Sequence, residues 1–522
     1  MKDTTGSSLP ATVVLGDGVP TIDDVVAVAR QLTPVTVSQA AVDRMGHSAA
    51  LVDQFVASDR AVYGVTTGFG SLASTVIPAD RTAELQTALV RSHATGMGAP
   101  IERDAIRAML FLRARSLAFG YSGVRADVVA LQVQLLNHNL TPQVFEHGSL
   151  GASGDLAPLS HCAMALIGEG EVIDSNGALR PTASALAAAG LTPIVLRAKE
   201  GLALINGTDG MLGMLALAIH DLSGLLRIAD ITAAMTVEAL LGTDRAFAAD
   251  LQALRPQVGQ AMSARNLQRL LADSAIVASH RVGDGRVQDA YSLRCTPQVH
   301  GAAHDTLQHA RTIADRELAA AIDNPMILPD GRVESCGNFH GAPVGMVCDF
   351  LAIAISEVCA IAERRTDRLL DASRSHGLPP FLTPDPGVNS GLMIAHYTQV
   401  GMALEAKRLA APASVDSLPT SAMQEDHVSN GWAAARKLRR SVETLRRVLA
   451  VELVCAGAGL DLRLPLTAGP GTSAALAHLR QVVAGPGPDR WWSPDLRAAE
   501  LLLETGTLLD AVEHAIGDLE VL

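Results

Sequence analysis

The chain has 522 residues, 48% hydrophobic and 18% charged, with 41 basic against 54 acidic side chains and a formal net charge of −13. That composition supports a large buried core and excludes a disordered chain. With no basic cluster, it also excludes nucleic-acid binding by phosphate neutralisation.

Aromatic residues make up 3%, and Ala, Leu and Val dominate the apolar set, which favours close-packed helices over β-sandwiches or barrels. The six cysteines, Cys162, Cys295, Cys336, Cys348, Cys359 and Cys455, are scattered without a CxxC pair. They point to buried free thiols in a reducing compartment, with neither zinc nor a disulfide framework. Met1 to Ser8 lacks the apolar core of a signal peptide. The apolar stretches around Met211–Ile219 and Phe350–Ile355 are short and closed by polar residues, so no membrane span is expected and a cytoplasmic location is.

In chain order, residues 1–20 are polar and Gly-bearing, an expected loose or edge segment. Apolar spacing predicts helices over Ile22–Leu32 and Ser38–Ala57. Ala61 to Gly70 then breaks the pattern with three glycines and reads as a mobile loop. Within it, Gly68-Phe69-Gly70-Ser71-Leu72-Ala73 matches a G-x-G-x-x-A fingerprint, but no βαβ alternation follows and a dinucleotide fold is rejected. Residues 81–140 read as successive helices, clearest over Arg81–His93 and Asp104–Ala118.

Next come Gly148-Ser149-Leu150-Gly151-Ala152-Ser153-Gly154-Asp155, a helix over Leu159–Ile167, and a small β/loop excursion at 169–200 with Glu171–Ile173 as a strand. From Asn206 the pattern is strongly helical, at about 210–243, 262–271, 301–320, 343–371, 390–411 and 429–458. Several of these helices are apolar on most faces, as in a bundle core or a subunit interface. Residues 466–495 read as loop, and a last helix is expected over Pro494–Ile516.

The expected fold is mainly α: a long central helix bundle with a smaller mixed N-terminal active-site portion. Three parts are expected: an N-terminal portion over 1–205, the bundle over 206–465, and a C-terminal loop and helix over 466–522.

Two readings fit the Gly148–Asp155 stretch. One is a glycine-rich turn before a helix, with Asp155 as the negative charge favoured in a helix's first turn. The other is a self-condensing backbone, in which the Gly154 amide attacks the Ala152 carbonyl and Ser153 loses water to become a dehydroalanine. Metal chemistry is not supported. His300 and His304 could share a helix face, with His309 beyond, but no third ligand stands at metal spacing and H-E-x-x-H is absent. A serine hydrolase would need a G-x-S-x-G elbow and strands that the chain lacks. The other polar clusters are Ser92-His93, Asn206–Asp209, Gln288–Arg294, Gly337–Gly341 and Gln424–His427. Each has a structural reading too: Asn206 as a helix cap, Arg294 as an ion-pair partner, Glu425 as acceptor for a buried donor.

Taken together and in order, Val62–Gly70, Gly148–Ser160, Leu202–Gly210, Val287–Gln298, Asn324–Pro343 and Ser421–Gly431 resemble the aromatic amino acid ammonia-lyase family. The likeness covers about Tyr63 to Leu460. It implies that Ala152, Ser153 and Gly154 form a methylidene-imidazolone (MIO) group, with no exogenous cofactor and no metal. By the same resemblance Tyr63 removes the β-proton, and Arg294, assisted by Asn206, holds the substrate carboxylate. Gln288, Tyr291, Asn206 and Phe339 support the prosthetic group. His93 and Glu425 read the substrate ring, and Glu425 also shares in proton transfer.

Family members that act on histidine carry the Ser92-His93 pair and Glu425 where phenylalanine enzymes have an apolar pair and Gln. The physics agrees, because a buried carboxylate against a phenyl ring would stay unpaired whereas an imidazole offers both donor and acceptor. The expected reaction is non-oxidative deamination of L-histidine to trans-urocanate and ammonia. The alternative is an ammonia-lyase or 2,3-aminomutase acting on L-phenylalanine or L-tyrosine. A homotetramer with shared active sites is implied, with a small amino acid substrate and neither nucleic acid nor membrane as partner. Asn430 departs from the pattern, standing where Met is expected, with retuning of the ring pocket as the expected effect.

Overall fold

The computed structural model describes residues 12–58, 63–72 and 74–522, so residues 1–11, residues 59–62, which include Ala61 and Val62 of the glycine loop, and Ala73 lie outside the described residues. The chain is mainly α-helical and forms two compact units. The first comprises 1–220, 311–349 and 412–436, and the second 221–310, 350–411 and 437–522. Four of the five divisions between them fall within long helices, Asp209–Ala239, Thr296–Leu318, Ala342–Leu370 and Gly431–Asp461, and the fifth follows the helix Met393–Leu409.

In the first unit, the helix Ile22–Arg30 begins at a capping box, with Thr21 and Asp24 each bonding the other's backbone amide. Strands Val13–Leu15 and Val35–Val37 flank it in parallel. The helix Arg103–Ala118 is buried from Ala105 to its end, three arginines included. Arg107 shows why this is tolerated: its guanidinium donates to the carbonyls of Val28, Ala29 and Leu136, the orphan C-terminal acceptors of two neighbouring helices. Strand Glu171–Ile173 forms as expected, between Thr141–Pro142 and Leu179–Pro181 in an antiparallel sheet.

In the second unit, Glu452 is fully buried and bonds Arg365, Thr232 and Thr236, so one carboxylate joins three long helices. His300 pairs with Asp230 at 2.8 Å, which Ser263 and Asn266 also bond. No group of three metal-ligating side chains exists among the described residues.

Three expectations are corrected. The stretches Glu200–Ala239 and Ala342–Leu370 are long and apolar enough to cross a membrane, but their most apolar windows are 100% and 56% buried within the protein, as core helices are. The last helix is two, Trp492–Glu504 and Thr507–Ile516, parted by Gly506 at φ +75°. Within the expected 466–495 loop, Pro470–Leu479 is helical, because a proline at the first helical position starts a helix rather than breaking one.

Candidate active site

The Gly148–Asp155 segment leaves strand Phe145–His147 and enters the helix Leu156–Leu166. It is held on several sides by backbone. Gly151 O accepts from Ser429 Oγ at 2.9 Å and from Gly341 N at 3.2 Å, and Leu150 O accepts from Asn430 N at 2.8 Å. Gly154 has φ +77°, and a Cβ there would collide with the Gly207 carbonyl, so glycine is required by conformation and by space at once.

Asp155 is fully buried. Instead of capping its own helix, its carboxylate accepts from the Gly210 and Met211 amides, both at 2.9 Å, and from Ser149 Oγ at 2.9 Å. It therefore satisfies the first turn of the helix Asp209–Ala239. Burial pushes its carboxyl up to about 7, against the opposing pull of these donors. The same helix start is held from behind by Arg113, which donates to Asp209 Oδ2 and Asn206 O at 3.0 Å each.

Asn206 ends the short helix Glu200–Ile205. Its Nδ2 donates to Asn324 O at 2.9 Å, and its buried Oδ1 finds no partner among the described residues. Behind it stands a fully buried ion pair, Lys199 Nζ to Asp323 Oδ2 at 2.6 Å, with Lys199 in the left-handed region at φ +72°. Asp323 Oδ1 accepts from Asn324 N, which connects the pair to the residue that orients Asn206.

Ser153 donates its hydroxyl to Glu425 Oε1 at 3.1 Å, and the other carboxylate oxygen accepts from Thr420 Oγ1 at 3.1 Å. Thr420 and Glu425 also pair through their backbones, across a turn in which Ser421, Ala422 and Met423 all have positive φ. Left-handed backbone at three consecutive non-glycine residues is costly and is found where function demands a geometry. The Tyr63 loop reaches the same turn: Gly70 N donates to Tyr63 Oη at 3.2 Å, and a Cβ at Gly70 would stand 2.8 Å from Ser421 Oγ. Phe69 packs edge-on against Tyr63.

His93 closes the helix Thr82–His93. Its Nδ1 lies 3.0 Å from Leu89 O, and a carbonyl only accepts, so Nδ1 carries the proton and Nε2 of the neutral ring is an acceptor. Burial lowers its pKa, while the Leu89 bond and the charge of Glu425 oppose that shift.

The first unit thus assembles Ala152–Gly154, Tyr63, His93, Asn206 and Glu425. It also holds Phe339, which sits half-buried in the turn closed by His340 N to Gly337 O. Gln288, Tyr291 and Arg294 lie in the second unit. There Tyr291 is 71% exposed, and the Arg294 guanidinium stacks 4.6 Å over its ring while donating to Asp289 O. Asn430 serves a different purpose from the expected one. At φ +50°, a conformation asparagine accepts more readily than most residues, its side chain bonds the carbonyls of Ala413 and Asp416. Sequence reading passed over Asp155's distant partners, Ser149, Ser429, Thr420 and the Lys199–Asp323 pair. The one signal for the last was a lysine just before an apolar segment that buries it.

A sequence profile of the aromatic amino acid lyases matches residues 21–481. The histidine ammonia-lyase of Streptomyces griseus is 56% identical over 511 residues, 97% of this chain and 99% of that one. Among solved structures, the histidine ammonia-lyase of Trypanosoma cruzi superposes with a TM-score of 0.90 at 37% identity, covering 97% of this chain and 96% of that one. The tyrosine aminomutase of Streptomyces globisporus superposes at 0.92 with 34% identity, covering 98% and 100%.

Proposed function

Since the chain belongs to the aromatic amino acid lyase family, we propose that it removes ammonia non-oxidatively from L-histidine, giving trans-urocanate. The observation that carries this reading is Glu425, whose carboxylate bonds Ser153 at 3.1 Å and whose charge acts on His93. An apolar ring would leave both acceptors without a ligand partner, whereas a substrate imidazolium carries two ring N–H groups and can donate one to each. Identity of 56% to a histidine enzyme, against 34% to a tyrosine aminomutase, supports the same substrate.

Family members use the MIO group, and the residues here fit one formed from Ala152, Ser153 and Gly154. Gly154 is pressed on Gly207 where no side chain could stand, Ala152 is buried, and the flanking carbonyls of Leu150 and Gly151 are pinned. That group supplies an electrophilic carbon for the substrate's amino nitrogen. No added cofactor is required.

The remaining roles fall to side chains. Tyr63 takes the β-proton, and its oxygen is held in place by the bond it accepts from the Gly70 amide. His93, neutral through burial, offers Nε2 to the ring N–H, and Glu425 takes the opposite side and shares in proton transfer. Asn206, held by Asn324, presents its Oδ1 to the substrate. Arg294 pairs with the carboxylate, and Gln288, Tyr291 and Phe339 line the prosthetic group. The exposure of Tyr291 at 71% and Val287 at 99% supports a homotetramer in which other copies cover this segment and share in the site.

The test is purified protein with L-histidine, L-phenylalanine or L-tyrosine, followed by ultraviolet absorbance and chromatography for β-amino acids. Urocanate from histidine is expected. Cinnamate, coumarate or a β-amino acid without urocanate would overturn the assignment.

A further inference from the structure

One contact at the site has no part in the roles above. His161 lies in the helix Leu156–Leu166, which follows Gly154 after Asp155, and its Nε2 receives the Gly96 amide at 3.0 Å. An amide N–H can only donate, so the ring must present a lone pair there and carry its proton on Nδ1. Burial lowers the pKa of His161 and so favours that neutral form.

Gly96 is three residues beyond His93. In between, Ala94 N bonds Val90 O to end the helix, and Thr95 N bonds His93 O in a tight turn. The chain then enters strand Met97–Pro100, which pairs with Phe145–His147. The exit from the His93 helix is therefore anchored at its last irregular residue by a ring on the helix that follows Ala152–Gly154. The ring itself is fixed by its edge-on packing against Phe145, with centroids 5.4 Å apart. Gly96 is glycine for the same reason: a Cβ there would stand 2.9 Å from His161 Nε2.

From this juxtaposition we infer that His161 is a positioning residue for substrate recognition. It ties the segment bearing His93 to the helix that follows Ser153, and so sets where the His93 imidazole meets the substrate ring. The inference rests on the reading of His93 given above. His161 touches no reacting atom, so its loss weakens ring binding equally in ground and transition states, which raises KM and spares kcat.

The test compares His161→Phe, which keeps the ring and its packing on Phe145 but removes the acceptor, with His161→Gln, His93→Phe and the double variant. Assembly is checked by size-exclusion chromatography. His161→Phe is expected to raise KM for L-histidine about ten-fold, the worth of one lost hydrogen bond, with kcat within about two-fold. His161→Gln, which restores an acceptor, should recover most of the loss. The double variant should match His93→Phe alone, because both changes act through one group. Unchanged KM in His161→Phe beside a raised KM in His93→Phe would overturn the positioning role while leaving His93 as the ring reader. Additive effects in the double variant would overturn it as well. Unchanged KM in His93→Phe would remove the reading of His93 and this inference with it. If His161→Phe does not assemble, His161→Gln against His161→Ala carries the same comparison, and equal KM in those two would overturn the inference.

Discussion

Ser153 and Glu425 stand 272 residues apart in sequence and share a hydrogen bond of 3.1 Å. One is the residue proposed to become the electrophile, the other the residue proposed to read the ring and share in proton transfer. Their contact places both functions within a single side chain's reach.

Ser153→Ala should abolish turnover of L-histidine and leave assembly intact, because the change removes one small hydroxyl from a segment held by backbone bonds. Intact mass should show the wild-type chain lighter than its sequence by two waters, and the variant not so. A fully active Ser153→Ala protein would refute the role of this residue.

Glu425→Gln keeps an acceptor for Ser153 and Thr420 and removes the charge. kcat/KM for L-histidine should fall by about 10²-fold or more, the scale of a lost proton-transfer group. The unfolding midpoint should hardly move. Steady-state kinetics beside thermal unfolding separates the two effects.

Asp155 gives a pH signature. Burial raises its carboxyl to about 7 in the folded chain, so the folded state binds more protons than the unfolded one from the ordinary carboxylate range up to that value. The stability this provides is fully present below that range and is lost as pH rises through about 7. Asp155→Asn removes the titration. The stability difference between wild type and variant should shift by roughly 2–3 kcal/mol between about pH 5 and 8, wild type losing more as pH rises. Denaturant unfolding at several pH values measures it, and parallel curves would show that Asp155 does not titrate in this window.

The Lys199–Asp323 pair is fully buried. Removing either partner strands a charge, and Lys199→Met or Asp323→Leu should each cost about 3–5 kcal/mol. The double variant should lose much less than the sum of the two. Its kcat should stay low even so, since Asn324 would lose the acceptor at Asp323 that helps orient Asn206. Wild-type kcat in the double variant would show that the pair serves folding alone.

Much of this was legible in sequence because it is local. Periodicity marks the long helices to within a few residues, and the glycines of 148–154 mark a turn before a helix whichever chemistry they serve. What stayed hidden depends on distant partners. Asp155 reads as a charge for its own helix, yet the amides it satisfies begin the helix at Asp209. The break at Gly506 was masked because Leu501–Leu503 and Leu508–Leu509 carry an apolar pattern across it. Asn430 reads as a ring-pocket residue from its nearness to Glu425, but a positive φ turns its side chain to the 413–416 carbonyls. Nor does chain order reveal that Gln288, Tyr291 and Arg294 belong to a different unit from Ser153.

The pins on the carbonyls of Leu150 and Gly151 come from Gly341, Ser429 and Asn430. A nascent chain that has left the ribosome only as far as residue 340 holds every atom of Ala152-Ser153-Gly154 and none of these pins. The bonds that fix the turn are therefore complete only once residue 430 has been made. A chain that stops between residues 341 and 428 carries the turn with the residue that makes the Gly341 bond but without those that make the Ser429 and Asn430 bonds.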